Sequence, residues 1–316
     1  MKPVITPFMS QELNSKEKYL KIKIAGCCIG TVTNSVEMYK YIIRNYLISD
    51  GLTESKVFLI ECRTYKELSL HLISNFGIKI KKCDNVTNIF ETRKIGNSFL
   101  ARVVDGSNKY IYYYNDNKND IIDYIHSVFE FAVLSYIEEE NIILHSSLVE
   151  IYGMGILFSG KSGAGKTTMA LLSRKFGTSL IENEHVIINL SKKLFLQKTS
   201  RDIRVKKESI NNTMNIIDYK NLSVSNGAET YKGVILIFLE FGENKFQKLG
   251  SIETINLMLK NLIITKRLSS NIINKLLGWV SSNNINAYLM QVKKGDYDYS
   301  LQTIKRIMEE IQNEKN

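Results

Sequence analysis

The chain has 316 residues, 44% hydrophobic and 23% charged, with a formal net charge of +10. That is the make-up of a globular protein with room for one large domain or two smaller ones. No apolar run approaches a membrane-spanning length, and the basic residues are scattered without an arginine-rich arm, zinc-finger spacing or RNP-like aromatic motif, so neither a membrane nor a nucleic acid is expected as partner.

In chain order, "YLKIKIAGC" (19–27) alternates and predicts a strand. "SVEMYKYIIRNYLIS" (Ser35 to Ser49) has helical spacing, with Ser35 as N-cap. "KVFLIEC" predicts a strand and "YKELSLHLISNF" a helix. "SFLARVVDGSNKYIYYYND" reads as two strands around Asp105-Gly106, a hairpin signal. The four cysteines (Cys27, Cys28, Cys62, Cys83) lack metal-ligand spacing, and Cys27 and Cys28 read as strand thiols. With no signal-peptide-like apolar core in the opening residues, a reducing cytoplasm is the expected location.

"NKNDIIDYIHSVFEFAVLSYIEEEN" (Asn117 to Asn141) then predicts one long helix. Strands "IILHSSLVEIY" and "GILFS" follow, separated by a "GMG" turn. After a Gly-rich loop come a helix, "KTTMALLSRKF", and one strand, "TSLIENEHVIINL", with acids in its middle. "GVILIFLEF" predicts a buried strand, "SIETINLMLKNLIITKRL" and "NIINKLLGWV" helices, "INAYLMQV" a strand and "SLQTIKRIMEEIQNEKN" a charged terminal helix. The expected division is a small α/β domain over 1–116 and a second α/β domain over 117–316.

"GKSGAGKT" (Gly160 to Thr167) matches G-x-x-x-x-G-K-[ST]. Gly160, Gly163 and Gly165 permit backbone conformations that aim successive N–H groups into one hollow. The helix that follows adds its positive end, Lys166 a mobile cation and Thr167 a hydroxyl for Mg²⁺. The strand before the loop and the helix after it are the context such a cradle needs. The expected nucleotide contacts are Gly160, Lys161, Ser162, Gly163, Ala164, Gly165, Lys166, Thr167 and Thr168. Lys161 reads equally well as a phosphate contact or a solvated lysine.

From His145 onward, "HSSLVEIYGMGILFSGKSGAGKTTMALLSRKFGTSLIENEHVIINL" resembles the HPr kinase/phosphorylase family. The shared arrangement is a His, an apolar strand ending in an acid, a Tyr-Gly-x-Gly turn, the phosphate loop and helix, then a strand with paired acids. The resemblance implies a phosphoenolpyruvate-carboxykinase-like P-loop domain at the C-terminal end, ATP and Mg²⁺ as cofactors, and assembly into a homo-oligomer. His145 falls on the family's active-site histidine, Glu150 where the family has Asp, and Asn183 and Glu184 on its Asp-Asp pair, which supplies the base and helps hold the metal. An amide at Asn183 takes no proton at neutral pH, so the base falls to Glu184. On a regular strand Glu182 and Glu184 would share a face, with Asn183 opposite, making Glu182 a second candidate. Glu240, ending a buried strand, rivals Glu184 for the metal. His185, His71, His126, Arg201 and Arg204 read as surface or structural.

The family's Glu-x-Arg-Gly-x-Gly signature is absent, the chain reading "SRDIRVKKESINN" there. HPr is therefore not the expected acceptor, and the resemblance leans toward the HPr-kinase-like proteins of modified-peptide biosynthesis. Two functions of different class stand open: a kinase passing the γ-phosphoryl of ATP to a hydroxyl, on a peptide or protein serine or a small molecule, and a nucleotide-gated peptide- or protein-binding module without transfer.

Overall fold

The computed structural model describes residues 18–24, 27–45, 47–48, 56–64, 89–95, 98–103, 109–114, 141–192, 194, 196–198, 230–263, 270–283 and 285–313. The chain divides into two compact units, Met1–Leu134 and Ser135–Asn316. The expected boundary near 117 and the helix expected over 65–76 lie outside the described residues, as does the helix expected over 117–141 except Asn141, which is in a strand.

In the first unit, β1 (Lys18–Ile24), β2 (Cys27–Thr33), β3 (Leu47–Ile48), β4 (Lys56–Thr64), β5 (Ile89–Ile95), β6 (Ser98–Val103) and β7 (Lys109–Tyr114) form one sheet in the order β3-β1-β2-β4-β7-β6-β5. Helix α1 (Val36–Asn45) connects β2 to β4, which pair in parallel. Its start is set as the sequence suggests: the Met38 amide donates to Ser35 Oγ at 3.1 Å, satisfying one of the helix's orphan N–H groups. Met38 and Ile42, one turn apart, bury the helix's apolar face. The strand expected over 19–27 stops at Ile24, and Cys27 and Cys28 open its antiparallel partner β2. Strands β6 and β7 pair as expected, whereas β5 was not foreseen.

The second unit comprises β8 (Asn141–Ile151), β9 (Met154–Ser159), α2 (Lys166–Ser173), β10 (Ser179–Glu182), β11 (His185–Asn189), β12 (Leu196–Lys198), β13 (Gly233–Phe241), β14 (Lys245–Lys248), α3 (Ser251–Asn261), α4 (Ser270–Ser282), β15 (Asn286–Val292) and α5 (Tyr297–Asn313). Its sheet runs β12-β11-β8-β9-β13-β15-β14, with β10 also pairing to β8. The three central strands β9, β13 and β15 are parallel and their neighbours antiparallel. The unit is therefore mixed α/β with a mixed sheet.

Strand β13 shows why. Val234, Leu236 and Phe238 enter one core cluster, with Ile255 and Met258 of α3 and Leu276 and Trp279 of α4. Ile235, Ile237 and Leu239 enter the other, with Met169 to Leu172 of α2 and Ile304, Ile307 and Ile311 of α5. An unbroken apolar run is what a strand covered by helices on both faces requires. Each buried Leu or Ile contributes roughly 1.5–3 kcal/mol by leaving water.

Two readings are corrected. The helix expected over 251–268 ends at Asn261, because Leu262 turns extended and bridges to Leu144, with the Ile263 amide donating to the Ile143 carbonyl at 2.8 Å. The single acidic strand over 178–190 is two, β10 and β11, interrupted at Asn183 and Glu184.

Candidate functional site

The phosphate-loop segment lies where the parallel strands end, the usual place for a ligand in an α/β sheet. β9 stops at Ser159 and α2 starts at Lys166. Gly163 and Gly165 have φ of 84° and 94°, a left-handed backbone that side-chain-bearing residues rarely adopt. At Gly160 the constraint is proximity: a Cβ there would sit 2.7 Å from the Leu239 carbonyl oxygen, so the loop's first residue presses on the end of β13. Helix α2 has no side-chain N-cap and no acid in its first turn, leaving its positive end to a ligand. Lys166 curls into the loop, and its Nζ donates to the Gly160 and Lys161 carbonyls at 2.9 and 3.0 Å.

A cavity of about 260 Å³ opens over this loop. Ser162 to Thr168 form its floor, while Gly160 is buried beneath and Lys161 is exposed beside it; neither lines the cavity. One wall carries His145, Asn183 and Glu184, and the other Phe241, Val292, Lys293, Lys294, Asp296 and Tyr297. The structure thus brings together the cradle, His145, Asn183 and Glu184 as the sequence suggests.

The acidic wall depends on an irregularity in pairing. Along β8, β11 pairs up to His145 and β10 from Leu148 in one register, and between them Asn183 and Glu184 leave the strand in a bend; the register slips only further along, between Leu180 and Glu182. A bend that breaks the strand frees its side chains from the alternation that would send them to opposite faces. Here the Glu182 carboxylate folds back on its own backbone, Oε1 accepting from the Asn183 and Glu184 amides at 2.8 and 3.3 Å. Glu182 is 4% exposed and does not line the cavity. The shared face expected for Glu182 and Glu184 is therefore not found; the consecutive pair Asn183 and Glu184 reaches the cavity instead. Ser147 Oγ donates to Asn183 Oδ1 at 3.0 Å, and the Ser146 amide donates to the Glu184 carbonyl at 3.2 Å. The Asn183 side chain is thereby anchored to β8.

His145 stands opposite His185 across β8 and β11, the rings 6.1 Å apart and edge-on. His185 does not line the cavity. Glu240, expected to rival Glu184 for metal, lies outside it too: it is exposed and accepts from Gln291 Nε2 at 3.3 Å. The reason is strand alternation, since Phe241, one residue on, takes the cavity face. Glu150 sits on β8 away from the cavity. Its charge, after the larger effect of burial, raises the Tyr231 phenol above its ordinary range. Arg201, Arg204, His71 and His126 lie outside the described residues.

Among the described residues no three of His, Cys, Asp or Glu cluster to cage a metal. The hard oxygen donors on the cavity surface, the Thr167 hydroxyl and the Glu184 carboxylate, fit Mg²⁺, which takes few protein ligands and keeps waters and phosphate oxygens.

The second wall was missed in the sequence. Asp296 is the N-cap of α5, its Oδ1 accepting from the Tyr299 amide at 3.0 Å, and Gly295 before it has φ of 86°. Asn244, from the β13–β14 turn, clasps this segment at two points: Nδ2 donates to Asp296 Oδ2 at 2.6 Å, and Oδ1 accepts from the Lys293 amide at 3.0 Å. The Asn244 bond first, then the Tyr299 amide and Lys293, hold the Asp296 carboxyl below the ordinary aspartate range. A Gly-Asp pair ahead of a periodic run was the available signal.

No family model matches the chain. Among curated proteins, the HPr kinase/phosphorylase of Treponema pallidum (strain Nichols) is 47% identical over 57 residues, 18% of each chain. That of Thermoanaerobacter pseudethanolicus is 35% identical over 74 residues, 22% of this chain and 24% of the relative. That of Bacillus cereus (strain B4264) is 32% identical over 110 residues, 34% of this chain and 35% of the relative. The chain thus spans about a fifth to a third of the length of the curated relatives it matches.

Proposed function

We propose that the second unit is a P-loop phosphotransferase of the HPr-kinase-like kind, with a phosphoenolpyruvate-carboxykinase-like fold. It passes the γ-phosphoryl of ATP to a hydroxyl, on a serine of a peptide or protein. The observation that carries this reading is one cavity lined by both the phosphate cradle and the Glu184 carboxylate. The partial identity to proteins named HPr kinase/phosphorylase supports it.

In this reading the amides of Ser162 to Thr168 and the end of α2 bind the phosphates, and Lys166 neutralises charge as it builds on the transferred group. Glu184 takes the acceptor hydroxyl's proton as the oxygen bonds to the γ-phosphorus and the bond to the ADP oxygen breaks. Asn183, held by Ser147, supplies no base and fixes the geometry beside Glu184. His145 orients the reacting groups from the same wall. Thr167 and Glu184 would hold Mg²⁺, which offsets phosphate charge when bound. Positioning and charge neutralisation carry most of the rate.

The test is incubation with γ-labelled ATP, magnesium and serine-bearing peptides. Label appearing in peptide supports transfer. Tight ATP binding with neither peptide labelling nor hydrolysis would instead support the second reading, a nucleotide-gated binding module. That reading is favoured by the anchored amide at Asn183, where the resembling family carries an acid.

A further inference from the structure

The wall facing Glu184 takes no part in the phosphate and proton chemistry above, and its surface is of another kind. Phe241 and Val292 are register partners on β13 and β15, and both line the cavity. Tyr297 lines it from the start of α5, packed against the core. Phe241 is 56% exposed although the residues preceding Glu240 on its strand are buried, so an aromatic face is left open at the mouth of a polar cradle. Lys293 and Lys294 stand beside it. The positive end of α5 is already taken by the Asp296 carboxylate, which bonds the Tyr299 amide, so this wall is not a second anion cradle.

Sheet order fixes direction. The loop strand β9 lies between β8, which carries the Glu184 side, and β13, which carries Phe241. From β8 to β15 is three strand spacings, about 14 Å. A triphosphate seated on the loop with its end group toward Glu184 must send its other end toward Phe241.

On the strength of the kinase reading, we infer that the β13–β15 wall is the nucleoside subsite: Phe241, backed by Val292 and Tyr297, takes the face of the base, and Lys293 and Lys294 flank the α-phosphate end. An aromatic face accepts a base by stacking and suits any base, so this wall sets affinity for a nucleoside rather than choosing among them.

The test is calorimetry on the full chain with two probes, MgATP and inorganic tripolyphosphate with magnesium. Phe241→Ala should weaken MgATP about tenfold or more while leaving tripolyphosphate within about twofold. Phe241→Tyr, which keeps the ring, should restore the wild-type value. Unchanged MgATP affinity in Phe241→Ala, with or without a raised KM for a peptide acceptor, overturns the subsite. So does equal weakening of both probes, which would mean damage to the loop, or failure of Phe241→Tyr to restore binding. Wild-type protein that binds tripolyphosphate as tightly as MgATP sinks the subsite but spares the cradle. Wild-type protein that binds neither sinks the cradle and the subsite together.

Discussion

The two walls of the cavity are built on opposite principles. The Glu184 wall is braced from within its own strands: Glu182 ties the bend to itself, and Ser147 ties Asn183 to β8. The Lys293–Tyr297 wall is a turn clasped from outside by Asn244, which reaches across from a neighbouring turn. The first suits a group that must not move relative to the phosphates, since reactivity falls steeply with misplacement. The second suits contacts that contribute affinity and tolerate adjustment. Chemistry should therefore break at the first wall and binding at the second, with the floor serving both.

The floor gives the largest expected effect. Lys166→Ala should lower turnover by about 10³-fold and weaken MgATP markedly, read by initial rates and calorimetry; a variant retaining wild-type rate removes Lys166 from the machinery. At the first wall, Glu184→Gln should cut turnover by about 10²–10⁴-fold with ATP affinity little changed, and single-turnover kinetics separate the two. If affinity falls while the rate holds, the contrast between walls is wrong. Ser147→Ala removes one donor to the buried Asn183 Oδ1 and should cost about 1 kcal/mol of stability, measured by denaturant unfolding.

At the second wall, Asn244→Ala should weaken MgATP only severalfold and leave the single-turnover rate of the saturated enzyme unchanged; a slowed chemical step would merge the two walls. The smallest effect is in pH. The Asp296 carboxyl is lowered, so its stabilising bonds are complete above the ordinary aspartate value of about 4. They are lost as pH falls through the lowered value. Removing Asn244 should raise that value toward the ordinary one, which an NMR titration of the Asp296 carboxyl reads directly; no shift would mean that Asn244 is not its main partner.

What was legible in the sequence is what local chemistry dictates. "GKSGAGKT" announces itself because three glycines, a lysine and a hydroxyl must be neighbours in the chain to surround one phosphate group. "GVILIFLEF" does so because a strand buried on both faces cannot alternate. Serine at 35 signals a cap for the same reason of proximity. The phase of Glu182, Asn183 and Glu184 is not legible, because the bend between β10 and β11 breaks the alternation that period-two reasoning assumes. Glu240 was weighed as a ligand by its place at a strand end, where only the three-dimensional face decides. The wall of Lys293 to Tyr297 escaped notice because its clasp, Asn244, lies about fifty residues away in an ordinary turn.

The break between β10 and β11 opposite Ser146 and Ser147 has one more consequence. A regular ribbon offers a chamber every other side chain, so an acid displaced by one position is lost to it. Here two consecutive side chains arrive in the same chamber, one sealed and tied by Ser147, the other, Glu184, partly open to carry the charge.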